Sequence, residues 1–322
     1  MYYPNDIEGI CYEEQHIERV VTEIKVHFQD YFERFIESEA GTLVSAKQAQ
    51  KLADKFGSDG SVRILKKDTG VTLKRIIVES IEQFEKDRES YINLLDEEAL
   101  EEYEDDPAGF KSTLRKECPI IRVTLMSKIK ELDKYRLEFR LANPDELLTV
   151  CTNLSSFANW YAAEWEDYDY DSISHLEDLE LKDLDTKDYS VFGVIGGGIK
   201  SHFMYKLHPA YFPYRSKESV WALWYLTDKK TFDCEEGSQF LMINVEKSLT
   251  NQNYFYPYEL FSYYAYHVYL LLKKEAKKHA VHIPGQYRYV LVERFFSFIS
   301  KLHEEDIKIL SSSPEDRHYL WM

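Results

Sequence analysis

Apolar residues recur at steps of three and four near the start of the chain: Ile17, Val20, Val21, Ile24, Phe28, Tyr31, Phe32 and Phe35. That spacing gathers them on one stripe and predicts an amphipathic helix, with Gly41 as its end. A second helix is expected from Ser45 through AKQAQKLADKFG. A third follows from Thr72 as its cap, with Leu73, Ile76, Ile77, Phe84 and Tyr91 on or near one face. After Pro119 the period changes. Tyr135, Leu137, Phe139 and Leu141 alternate with Arg136, Glu138 and Arg140, which predicts a half-buried strand. Asn143-Pro144 then opens another helix, with Pro at the first helical position and Asp145 and Glu146 in the first turn, running to about Trp165.

Further along, SVFGVI (190–195) and SQFLMINV (238–245) are short apolar runs with β-branched or aromatic members, expected as buried strands. Ser216 can cap a helix whose WALWYL segment is apolar nearly all round. Pro257 and Glu259 open a long helix with Leu260, Tyr264, Val268 and Leu271 on one face, and Pro284-Gly285 stops it. The expected fold class is therefore α+β and mainly helical. It divides into an acidic, mostly helical domain at 1–163, an acidic connection at 164–189, and an aromatic-rich α+β domain of few short strands and long helices at 190–322.

At 322 residues and 44% hydrophobic, the chain can bury a sizeable core. Its longest apolar run, 261–272, contains four tyrosines and a histidine and falls short of the roughly 20 residues of a membrane span. The opening MYYPNDIEGICYEEQ lacks the basic and apolar regions of a signal peptide, so a soluble cytoplasmic protein with no membrane partner is expected. Cys11, Cys118, Cys151 and Cys234 show no CxxC pair and no Cys/His spacing of a zinc site, so neither a metal nor another cofactor is expected. Reduced thiols fit that compartment.

The net charge of −17 is unevenly spread. Residues 1–189 carry 24 Lys/Arg against 43 Asp/Glu, and residues 190–322 carry 16 against 14. An acidic surface repels nucleic-acid phosphates, so any such contact is expected in the C-terminal part. Two acidic runs stand out: 96–106 has eight acids in eleven residues, and 164–189 has eleven acids and two lysines. Both read as solvated surface. Held on one rigid face, they would instead suit an acidic DNA-mimic inhibitor.

Candidate chemistry concentrates in VFGVIGGGIKSHFMYKLHPAYFPYR, residues 191–215. A Walker A loop needs a glycine directly before Lys-Ser, and here Ile199 intervenes between Gly198 and Lys200-Ser201. The dinucleotide fingerprint lacks its third glycine. The remaining possibility is an anion or phosphate site at a helix N-terminus, formed by Gly196, Gly197, Gly198, Lys200, Ser201, His202, His208 and Arg215. The competing reading is a glycine turn that lets the helix pack closely. His208-Pro209 with Arg215 is similar to the HP…R of AMP-transferring Fic-type enzymes, but the Gly-Asn-Gly that would cradle phosphates is missing.

Asp171 with Glu180-Leu181-Lys182 has the composition of a metal-dependent nuclease set, two carboxylates for Mg²⁺ and a lysine beside the attacking water. DYDYDSISHLED (167–178) fits a calcium-loop frame at four positions and lacks its glycine. Seven tyrosines between Tyr254 and Tyr269 precede Lys273, Lys274, Lys277 and Lys278. Aromatics beside lysines can stack bases and hold phosphates, yet tyrosines at helical spacing usually wall a core and lysines suit a helix C-terminus. Cys234, flanked by three acids, is a poor nucleophile.

GIKSHF…LHP…FPYRS…VWALWYL, within residues 193–226, resembles segments of bacterial proteins found alongside restriction and phage-defence functions. The likeness contains no catalytic motif and singles out no one family. The expected function is a non-catalytic or regulatory interaction subunit of a bacterial intracellular complex, with a protein partner and a nucleic-acid link through the C-terminal part. The alternatives are a Mg²⁺-dependent nuclease or nucleotide-processing enzyme, and the DNA mimic.

Overall fold

The computed structural model describes residues 9–39, 68–234, 241 and 256–311. Among these the regular elements are helices, numbered here in chain order. The first is α1 (Glu14–Glu39), followed by α2 (Thr69–Glu85), α3 (Arg88–Leu94), α4 (Glu97–Glu101), α5 (Pro107–Glu117), α6 (Pro119–Met126), α7 (Asp133–Leu141) and α8 (Pro144–Glu164). The second part of the chain holds α9 (Gly197–Leu207), α10 (Lys217–Leu226), α11 (Tyr258–Lys278), α12 (Arg288–Leu302) and α13 (Glu304–Ser311). No helix among the described residues is long and apolar enough to cross a membrane.

The apolar stripe of α1 is buried as its spacing requires, and it packs against α2, α10, α11 and α12. Phe28 and Phe35 each bring their ring centroid to 5.4 Å from Phe295 of α12. Burying each such ring stabilises the fold by about 1.5–3 kcal/mol. A second group forms where α8 packs on α5 and α9, while α9 also touches α3. Each group combines helices from before and after residue 190.

Local chemistry explains several helix starts. Asp96, Asp106, Asn143 and Ser216 each accept a backbone N–H of the following first turn. The third predicted helix starts earlier than Thr72. Asp68 caps it at 2.8 Å from the Gly70 N–H, and Thr72 is buried in the first turn. The helix breaks at 86–87, so Tyr91 belongs to α3. The expected helix from Ser45 and the Gly41 stop lie outside the described residues.

Two expected strands are not strands, so the β component of the expected α+β class finds no support among the described residues. Residues 135–141 belong to α7, in which Phe139 alone is buried while Leu137 and Leu141 face solvent. Leu, Glu, Arg and Lys favour helix, and a helix satisfies its backbone locally where no neighbouring strand is at hand. Residues 190–195 form a tight turn closed by an isolated bridge between Val191 and Ile195. Gly193 sits at its tip at φ 71°, and a Cβ there would meet Glu138 Cγ at 2.7 Å. Val191, Val194 and Ile195 are buried, so the apolar run is a plug. The third expected strand, 238–245, lies outside the described residues except for Leu241, which is buried.

The acidic stretch 164–189 runs as successive 3₁₀ turns, among them Tyr170–Ser172, Glu177–Leu179, Lys182–Asp185 and Lys187–Tyr189. Tyr170, Ile173, Leu176, Leu179, Leu181 and Leu184 point inward while most of its acids face out. This strap leads directly to the glycine turn.

Candidate functional site

Gly196 is the N-cap of α9 and Gly197 its first residue. Gly197 is buried, and Gly196 and Gly198 are half-buried. The Arg215 guanidinium lies against Gly197 so closely that a Cβ there would fall 1.4 Å from Nη2. Arg215 is 2% exposed, its Nη1 donates to the Tyr256 carbonyl, and its backbone N–H donates to Ser201 Oγ at 3.1 Å. Ser201 Oγ in turn donates to the Gly197 carbonyl at 2.6 Å. The Gly198 face is more open, with the nearest atom 3.9 Å from a built Cβ.

Lys200, 5% exposed, donates its ammonium to the Leu184 carbonyl and lies 3.7 Å from Asp185 Oδ1. Asp185 also accepts the Tyr258 N–H at 2.8 and 2.9 Å, which caps the N-terminus of α11. Lys200, Arg215 and Asp185 therefore form an ionic knot that ties the strap to α9 and α11. Burial pulls the Lys200 pKa down to about 8, with Asp185 opposing and Arg215 adding to the fall. Burial also lowers that of Arg215.

The two histidines of the segment are fixed as well. His202 Nε2 lies 3.0 Å from the Tyr91 hydroxyl, which also accepts the Ile120 N–H at 3.0 Å. Tyr214 packs edge-on against the same imidazole with centroids 4.6 Å apart. Burial pushes the His202 pKa down to about 3, with Lys206 adding to it, so the ring is neutral at physiological pH. His208 Nε2 lies 2.8 Å from Asn159 Oδ1, and burial, then Arg88, push its pKa down to about 4. The structure thus gathers Gly197, Lys200, Ser201 and Arg215 into one buried network, and seats His202 and His208 in contacts with Tyr91 and Asn159.

The remaining sequence candidates are dispersed. The Asp171 carboxylate pairs with Lys273 and faces Arg288 at 3.8 Å. Glu180 is exposed at φ 50°, and Lys182 is exposed on the following 3₁₀ turn, so no strand pair presents a nuclease set. In the calcium-like frame, Asp169 accepts the Asp171 N–H, and Asp178 accepts those of Ser174 and His175. Tyr256, Tyr258, Tyr264, Tyr266 and Tyr269 are buried, which withdraws their faces from any base. Lys274 and Lys277 are exposed, and Lys278 pairs with Glu275 at 2.6 Å.

Two features were missed by sequence reasoning. Cys11 and Cys234 have sulfurs 3.5 Å apart, and His16 joins them, with all three buried. Cys11 and His16 are five residues apart, but the third member comes 218 positions later, beyond any spacing rule. A second group, Glu23, His27 and Asp228, already holds a cation, since Lys230 pairs with Glu23 at 2.7 Å.

The other missed feature is a surface on α6 and α7. Val123, Met126, Ile129, Leu137 and Leu141 are all exposed, Met126 to 75%. Arg136 binds the Ser127 carbonyl and, at 3.2 Å, that of Ile129, which holds the linker against α7. Exposed Phe192 extends the face, with the Lys134 ammonium 6.0 Å from its ring centroid. Residues 122–141 carry six Lys/Arg against three Asp/Glu, a basic island in the acidic half of the chain. The signal was present as alternation in 135–141, which a strand assignment reads as half-buried.

Compared with protein-family models, curated proteins and solved structures, the chain matches none.

Proposed function

We propose that this protein is a non-catalytic interaction subunit that binds an acidic protein partner through the α6–α7 face. The observation that carries the reading is the set of exposed large side chains Val123, Met126, Ile129, Leu137 and Leu141, with Phe192 beside Lys134, in a stretch that holds six Lys/Arg against three Asp/Glu. Large apolar side chains left exposed beside charged ones are a common mark of a protein-binding surface. The basic excess favours a partner carrying carboxylates around apolar side chains. The chemistry-bearing residues of the glycine turn support the non-catalytic part of the reading, because Lys200, Ser201 and Arg215 are engaged in internal contacts. The resemblance of residues 193–226 supports seeking the partner among bacterial defence assemblies.

The test is co-purification of the full chain with a stoichiometric partner, repeated with Met126→Asp, Leu137→Asp and Leu141→Asp combined. These positions are exposed, so the thermal midpoint should be unchanged. Central contacts of this kind contribute about 1–2 kcal/mol or more each, so binding should weaken a hundredfold or more. Undiminished partner binding by the triple variant would overturn the reading.

A further inference from the structure

Cys11 lies in the 3₁₀ turn Gly9–Tyr12 and His16 in the first turn of α1, and both face Cys234 at the end of the turn that follows α10. One ligand atom from each forms a triangle with no edge above 4.8 Å, and its sulfur–sulfur edge is 3.5 Å. Zinc bonds sulfur at about 2.3 Å and imidazole nitrogen at about 2.0 Å in a tetrahedron, which sets edges of about 3.8 Å between sulfurs and about 3.5 Å from sulfur to nitrogen. The sulfur–sulfur edge needs to open by only about 0.3 Å, and the imidazole nitrogen, within 4.8 Å of both sulfurs, would close to about 3.5 Å to admit the ion. A disulfide would draw the sulfurs to about 2.05 Å and gives no role to a histidine converging on the same point. We propose that Cys11, His16 and Cys234 bind one zinc ion, with water at the fourth corner, stapling the N-terminal turn to the turn after α10.

The charge balance suits the surroundings. Each thiol gives its proton to solvent on binding, and His16 binds as neutral imidazole, so two thiolates neutralise the dication. A neutral centre can occupy a pocket in which Cys11, His16 and Cys234 are 0%, 2% and 8% exposed. Burial, then the Arg19 charge, lower the His16 pKa, while a hydrogen bond with the Phe232 backbone pulls the other way. An acceptor in that place also orients a metal-bound imidazole.

The 228–234 turn is held for the purpose. Asp233 pairs with Arg19 at 2.6 Å, Lys230 with Glu23 at 2.7 Å, and the Phe232 ring meets His16 edge-on with centroids 5.7 Å apart. Phe232 and Asp233 both adopt left-handed backbone, at φ 53° and 64°. Each costs about 1–2 kcal/mol for a non-glycine residue and persists where tertiary contacts dictate it. Ligation of the next residue, Cys234, is a contact of that kind.

The test uses the full chain purified without chelator. Elemental analysis should find about one zinc per chain, falling at least tenfold in a Cys11→Ser, Cys234→Ser double variant. Because that variant can lose its fold, metal-stripped wild-type protein is also titrated with Co²⁺. The site should give a thiolate-to-cobalt charge-transfer band and the visible bands of tetrahedral cobalt, and a His16→Asn variant should weaken both. Three results would each overturn the proposal. These are folded wild-type protein with neither zinc nor a cobalt–thiolate band, equal zinc in the folded double variant, and an intact mass lower by two hydrogens, which reports a disulfide.

Discussion

Gly197→Ala probes why three glycines stand before Lys200. In an ordinary helix the change would stabilise by about 1 kcal/mol, since alanine loses less backbone freedom on folding. Here the new methyl would overlap the Arg215 guanidinium, 1.4 Å from Nη2, and Arg215 is buried with Nη1 committed to the Tyr256 carbonyl. If the guanidinium yields, a buried charge loses its acceptor, at about 3–5 kcal/mol. If the start of α9 yields, overpacking costs about 1–3 kcal/mol. The net expectation is a loss on the order of 2–4 kcal/mol, read as a lower urea midpoint and a thermal midpoint reduced by several degrees. Gly198→Ala is the internal control, because its Cβ would meet only an ordinary contact at 3.9 Å, and it should gain about 0.5–1 kcal/mol. In an Arg215→Ala background, Gly197→Ala should change sign and stabilise, the coupling expected of residues in contact. A Gly197→Ala protein as stable as wild type would refute the packing of Arg215 over the helix start.

Three further outcomes follow from buried groups. Lys200 titrates at about 8 in the fold against its ordinary 10.5, so between those values the unfolded chain binds the extra proton and stability from this group rises with pH. The wild-type advantage over Lys200→Met should therefore be flat below about pH 8 and grow by on the order of 2–3 kcal/mol towards pH 10.5, measured by urea midpoints. Burial, then the neighbouring Glu218, push the Glu293 carboxyl up to about 8 from 4.5, so the native state holds the proton that the unfolded chain has lost. Glu293→Gln should match wild type below pH 4.5 and exceed it by on the order of 4 kcal/mol near pH 8; a constant offset across that range would contradict the buried carboxyl. Tyr91→Phe strips the hydroxyl shared by His202 and the Ile120 N–H and should cost about 1–3 kcal/mol, with slower-exchanging protons lost at Ile120 in hydrogen-exchange measurements.

Much of the helical skeleton was legible in the residue order because its causes are local. The stripe from Ile17 to Phe35, the Asn143-Pro144 start and the Ser216 cap depend on periodicity and on side chains reaching N–H groups two or three residues away. The same locality misled at 135–141, where period-two alternation accompanied a helix whose exposed leucines extend a surface face. An alternating pattern reports burial only if a partner strand exists, and that is a tertiary fact.

The candidate site divides the same way. The sequence alone determined that Gly196, Gly197 and Gly198 open a helix carrying Lys200, Ser201 and His202, since backbone freedom and helix phase are set by neighbours. Only the tertiary structure decided that these groups face inward, because what they meet, the Leu184 carbonyl and Asp185 at Lys200, the Arg215 N–H at Ser201 and the Tyr91 hydroxyl at His202, comes from the strap, the segment after α9 and α3. The meeting of Cys11 and His16 with Cys234 was likewise settled by the packing of α1 beside α10. Side-chain identity sets what a group can do within a few residues. Which partner it meets across two hundred is set by how amphipathic helices bury their stripes together.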